Sequence, residues 1–176
     1  MRAARALIAV LTLCVTPVVA QGKTKAPATP QGVGILEMCE HFAAGDVLAL
    51  DSAVGKGWDA YEDASESPFV ASYSGSKDVP GLGYATMFAL VESYPSSTFG
   101  YCRVDLTDLT SPAGLEVEAI TALDRYAGER VNNDEGTFAS LSGATAPDRL
   151  LLTQATPGGF VIQLTIITPK AASAAQ

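Results

Sequence analysis

The sequence predicts an α+β domain: a mainly antiparallel sheet of about six strands with helices packed on one face, in the order α-α-β-β-β-α-β-β-β. Three observations carry this. Apolar residues between positions 35 and 61 recur at helical spacing. From Phe69 the texture changes to β-branched and aromatic runs separated by Gly, Pro and Ser breaks. A further helical stretch after Pro112 divides two groups of three strands.

Ile35, Leu36, Cys39, Phe42 and Ala43 fall on one face of a helix, and Gly45 stops it. Asp46 can cap a second helix whose stripe is Val47, Leu50, Val54, Trp58 and Tyr61, with Gly55 and Gly57 weakening its middle. Phe69–Ser74, Leu82–Tyr94 and Thr98–Leu106 read as strands, broken by Gly75–Gly81 and by Pro95-Ser96-Ser97. The second break is short enough to make the latter two an antiparallel hairpin.

Ser111 as cap and Pro112 at the first position start a third helix, where the missing N–H of proline costs nothing. Its expected face is Leu115, Ala119, Ala122, Leu123 and Tyr126, ending at Gly128. Glu116 and Glu118 sit where the helix dipole favours acids. Thr137–Leu141, Arg149–Ala155 and Phe160–Thr168 are the remaining strands, the last two joined by a Thr156-Pro157-Gly158-Gly159 turn. Phe160, Ile162, Leu164 and Ile166 give the last strand one wholly apolar face, which places it well inside the sheet.

The domain is expected to span residues 34–169. Before it, residues 1–20 have the three parts of an export signal: Arg2 and Arg5, an apolar run from Leu7 to Val15, and small residues up to Ala20. That run is too short to span a bilayer, which needs roughly 20 apolar residues. Leu13 before Cys14 departs from the small residue a lipoprotein signal uses, so Cys14 reads as a small hydrophobe. Residues 21–33 hold Pro27, Pro30, Lys23 and Lys25 without an aromatic, the composition of a disordered leader. Residues 170–176 are expected to form a flexible tail.

Without Arg2 and Arg5, residues 21–176 carry nine bases against all 19 acids, a formal charge of −10. Nucleic acid and anionic membranes need a basic footprint, so neither is an expected partner. Cys39 and Cys102 are an even pair, read as a disulfide in an oxidising compartment, periplasmic or extracellular. Closing that loop of about 64 residues removes roughly 4 kcal/mol of chain entropy from the unfolded state in the entropic treatment.

Catalytic constellations are few. His41 stands alone, and the cysteine spacing fits no zinc site. Asn132-Asn133-Asp134-Glu135-Gly136 lacks the alternation of a calcium loop and reads as a turn. Ser74-Gly75-Ser76-Lys77 matches the S-x-x-K of penicillin-binding enzymes but lies in an expected loop, without the companion motifs. Gly81-Leu82-Gly83 is too short for a phosphate loop. Glu62 with Asp63 and Glu66, or Asp105 with Asp108, could supply general acid–base work.

No cofactor is implied. The reading is therefore a non-enzymatic exported binding module for an unknown protein or small apolar ligand of the cell envelope or medium. The alternative is a small cofactor-independent hydrolase using carboxylates. Phe99, Tyr101 and Arg103 are the candidate binding residues. If Cys102 faces the first helix, the strand period of two turns Gly100, Val104 and Leu106 the same way and these three the other way. Two aromatics beside an arginine have the composition of a binding hot spot.

The export signal makes one direct prediction. The mature protein begins at Gln21, and its intact mass after isolation from periplasm or medium should lack residues 1–20. A mass retaining them, or a lipid on Cys14, would contradict the export reading.

Overall fold

The computed structural model describes residues 30–146 and 148–170. The expected export segment, the leader up to residue 29 and the tail from residue 171 lie outside these. The elements are α1 (Gln31–Ala43), α2 (Ala49–Gly55), β1 (Asp59–Glu62), β2 (Phe69–Val79), β3 (Gly83–Ser93), β4 (Ser97–Thr107), α3 (Gly114–Thr121), β5 (Tyr126–Asn133), β6 (Gly136–Gly143), β7 (Arg149–Thr156) and β8 (Gly159–Pro169). The domain is α+β, as the sequence predicts, but the sheet has eight strands rather than six, ordered β1-β2-β3-β4-β8-β7-β6-β5. Every neighbouring pair is antiparallel. Two four-strand meanders thus meet at the β4–β8 pair, with α3 carrying the chain from one to the other.

α1 lies over β3, β4 and β8. It buries Ile35, Leu36, Met38, Cys39 and Phe42 against the inward residues of those strands. It begins at Gln31, so the ordered chain starts before residue 34. Gly45, at φ +72°, ends it in a conformation that favours glycine. The crossing on β4 is close: a Cβ at Gly100 would overlap the Ala43 carbonyl. One turn away, Cys39 and Cys102 form the expected disulfide, their Cα atoms 5.3 Å apart, and both residues are fully buried.

β4 shows the alternation that this bond requires. Gly100, Cys102, Val104 and Leu106 are buried, while Phe99, Tyr101, Arg103 and Asp105 are half-buried on the other face. β8 repeats the pattern, with Phe160, Ile162, Leu164 and Ile166 inward. It occupies the centre of the sheet, between β4 and β7.

Several elements depart from expectation. Gly55 is the last residue of α2, and Gly57 (φ +84°) turns the chain. Trp58 is buried beyond the helix, and Tyr61 belongs to the edge strand β1. The helix buries Ala49 and Ala53 instead of the expected stripe, leaving Val47 89% exposed. Asp46 does not cap it as N-cap; its Oδ1 accepts the Leu48 amide at 2.9 Å just before the helix.

In α3 the buried pair is Val117 and Ile120, and Leu115 is 73% exposed. The segment is apolar on more than one side, so its period alone has two solutions, and packing on β6 and β7 selects one. Tyr126 lies past the end of the helix and begins β5. Ser111 is not the cap: its hydroxyl donates to the Gly81 carbonyl at 2.7 Å and pins the β2–β3 turn. β2 continues through the residues expected as a loop, to Val79, with the turn at Pro80-Gly81. Glu116 serves the neighbouring helix, accepting the Gly32 amide at 2.7 Å.

A polar link ties α1 to the far edge of the sheet. Glu40 accepts from the Arg125 Nε and the Tyr126 hydroxyl, each at 2.8 Å. Burial, and then the nearby Glu40 carboxylate, push the Tyr126 phenol above its ordinary value of 10.0. A pKa raised by folding stabilises the native state fully below the unfolded value and progressively less as pH rises past it.

Two expected outcomes follow from these contacts. Gly100→Ala should destabilise the oxidised protein by about 1–3 kcal/mol through overpacking, and reduction of the disulfide by roughly 2–5 kcal/mol, both read from urea unfolding. The unfolding free energy should also decline as pH rises above 10, and Tyr126→Phe should make that decline shallower; an unchanged slope would place the phenol outside the folding linkage.

Candidate functional site on the open sheet face

All three helices pack on one side of the sheet. α1 covers its centre, α3 covers β6 and β7, and α2 sits against α1 and β1. Among the described residues no helix packs on the opposite face; the β1–β2 connection, residues 64–67, borders it beside Ser72 and Phe88. The candidate binding residues Phe99, Tyr101 and Arg103 all lie there, as the period of two places them.

Strand register shows what surrounds them. Phe88 on β3 is opposite Arg103, and Leu90 is opposite Tyr101. Across β8, Arg103 meets Gln163 and Tyr101 meets Thr165. These in turn lie opposite Leu152 and Leu150 of β7, and beyond those come Ser140 and Ser142 of β6. Large side chains therefore rise on β3, β4 and β7, while smaller or polar ones line β8 and much of β6. On β2 the corresponding positions are Ser72, Ser74 and Ser76.

The result is a relief of ridges and troughs. A hollow of about 410 Å³ opens over β5–β8, floored and walled by Val131, Phe138, Leu152 and Val161, with Gln163, Glu129 and Arg103 at its margins. Leu150 and Leu152 are 51% and 50% exposed and Phe88 44%, high values for such side chains.

Arg103 is committed within the face. Its Nε and Nη2 donate to the two Asp105 oxygens, each at 2.7 Å, and Nη1 donates to Gln163 Oε1 at 3.1 Å. The hydrogen-bonded Asp105 raises the guanidinium pKa above its ordinary value. The charge is permanent but cancelled locally. Arg103 offers a flat, stackable plate more than an anchor for an anion.

Groups suited to catalysis are scattered or occupied. Ser74 and Lys77 lie on β2 and so on opposite faces of the strand. The Ser74 hydroxyl donates to Asp63 at 2.8 Å, and the Lys77 ammonium to the Lys56 carbonyl at 2.6 Å. His41 is on the helix layer, its Nδ1 2.8 Å from Asp46 Oδ2. The Leu48 amide, and then His41, hold the Asp46 carboxyl below its usual value. Cys39, two residues from His41, is in the disulfide. Asp105 is taken by Arg103, while Asp108 sits in the turn after β4 at φ +52°. Asn133 Oδ1 accepts the Glu135 and Gly136 amides, so the Asn132–Gly136 tract is the β5–β6 turn.

The sequence reading found the β4 part of this face and missed the remainder. Phe88 and Leu90 were recoverable from the β3–β4 hairpin, because once Cys102 fixes the inward side the register carries it across. Leu150 and Leu152 were hidden in the run Leu150-Leu151-Leu152, where an apolar inward residue sits between two apolar outward ones. Val131 and Glu129 belong to β5, a strand the sequence did not signal.

The chain matches no protein-family model, and no curated protein and no solved structure is significantly similar to it.

Proposed function

We propose that this protein is an exported, non-enzymatic binding module that docks its ligand on the open face of the sheet. The observation that carries the reading is the uncovered set of large apolar side chains on that face, Phe88, Leu150, Leu152, Val131 and Ile167 among them. A one-sided antiparallel sheet ordinarily presents polar residues to water. Large exposed apolar patches on a soluble domain mark interaction sites. Phe99, Tyr101 and Arg103 form the centre of the proposed surface.

Export is supported by the basic start and apolar run of residues 1–20 and by the buried disulfide. Among the described residues no helix is long and apolar enough to cross a membrane. The carboxylate-hydrolase reading draws less support, because Asp105 and Asp63 already accept hydrogen bonds within the face.

The double variant Phe99→Ser with Tyr101→Ser tests the proposal. On an open docking face it should lower stability by no more than about 1 kcal/mol, in the range of surface changes. It should also reduce the fluorescence of an apolar dye bound to the native protein. Destabilisation of about 3–5 kcal/mol, the cost of emptying aromatic core sites, would return both residues to packing and end the docking reading.

A further inference from the structure

We infer that the partner of the open face is a cationic amphipathic polypeptide, with an apolar side chain seated in the β5–β8 hollow and its bases meeting the acids of the face. The inference rests on the docking reading above and adds the chemistry of what docks.

The bases are concentrated on the helix side, while acids occur on both sides. Arg125 and Arg149 approach Glu40, and Arg130 pairs with Glu118, all on the helix side. Lys77 is held there too, by the Lys56 carbonyl. On the strands of the open face the one base is Arg103, and Asp105 cancels it. Register turns Asp59, Asp78, Glu92 and Glu129 to that face, and Asp63 reaches it through Ser74. None of these five has an ion-pair partner among the described residues. The face is apolar and negatively charged.

Their spread sets the size of the partner. Asp59 lies on one edge strand and Glu129 on the other, seven strand spacings away. At about 4.8 Å per spacing that is roughly 34 Å, beyond the reach of a small ligand. A second copy of this chain would set the same five acids against each other, and like charges across an interface oppose docking. A polypeptide that pairs bases with apolar residues satisfies both components. Its apolar anchor has a seat between Val131, Phe138, Leu152 and Val161, beside the Glu129 carboxylate.

The test uses the oxidised full-length mature protein and three synthetic peptides of equal length, built from Leu/Lys, Leu/Ser and Leu/Glu, with affinities measured by calorimetry at low and high salt. The Leu/Lys peptide should bind at least about tenfold tighter than Leu/Ser, and more weakly as salt rises. Glu129→Lys and Leu152→Asp should each weaken it by about tenfold or more. Asp51→Lys, an equal charge reversal on the exposed side of α2, should change it by less than about twofold. Circular dichroism and urea midpoints confirm that each variant is folded. Equal weakening by Asp51→Lys would mean diffuse attraction to an acidic chain and would overturn the inference. Leu/Ser binding as tight as Leu/Lys, still lost in Leu152→Asp, would keep the docking face and reject the cationic partner. Absence of peptide binding together with a dimer dissolved by Leu152→Asp would assign the face to a second copy and also overturn it.

Discussion

The crossing of α1 over β4 is the contact on which the rest of the structure depends. It combines a covalent bond at Cys39–Cys102 with an approach so close that only glycine fits at position 100. Together they fix which side of β4 is inward. Because every strand is hydrogen-bonded antiparallel to its neighbours, that one assignment passes through the register to the whole sheet. A slip of one residue in β4 would turn Val104 and Leu106 to solvent and drive Arg103 and Asp105 under the helix. Burying that pair out of water would cost several kcal/mol per ion unless fully compensated.

From this follows the unequal character of the two faces. The helix side is a continuous apolar core, closed at its β5 edge by Glu40, Arg125 and Tyr126. Among the described residues, the Thr153 hydroxyl on β7 is buried there without a hydrogen-bond partner. Among the described residues no helix layer covers the open side, where serines and acids are interleaved with large apolar side chains. The bases that could have offset its acids are held by the helix layer instead.

The legible part of the fold was the part governed by period. α1, the β3–β4 hairpin and the three last strands each bury one clean face, so their residues alternate or repeat as burial demands. Edge strands lack that constraint. β1 has no buried residue, and β5 buries Tyr126 alone, so neither alternates and both were absorbed into neighbouring helices or turns. Likewise α3 could present either Leu115 or Val117 by spacing. The choice rests on contacts with β6 and β7 that are distant in sequence. For the candidate site the same division holds: Phe99, Tyr101 and Arg103 were accessible through the disulfide parity, but the commitment of Arg103 to Asp105 was not. In an extended strand those two residues are neighbours on one face, but sharing a face does not dictate that both Asp105 oxygens accept from the guanidinium.

The shape of the open face also has a cause in side-chain volume. Cross-strand rows place Phe88 and Leu152 beside Ser74 and Ser140, and Leu90 and Leu150 beside Ser72 and Ser142. Large residues on every strand would have packed into a flat apolar sheet, and small polar ones on every strand would have left nothing to bind. Concentrating bulk on β3, β4 and β7, with serines on β2 and β6, produces ridges with hydroxyl-lined troughs between them. Phe138 raises a wall at one end of the β6 trough, and Val131 and Leu152 close its sides, which makes the hollow. A partner that buried only the ridges would leave the serines in water and desolvate few polar groups. One that also filled the hollow would gain apolar contact without displacing any backbone hydrogen bond of the sheet. The relief therefore favours insertion of a discrete side chain over flat stacking of another sheet.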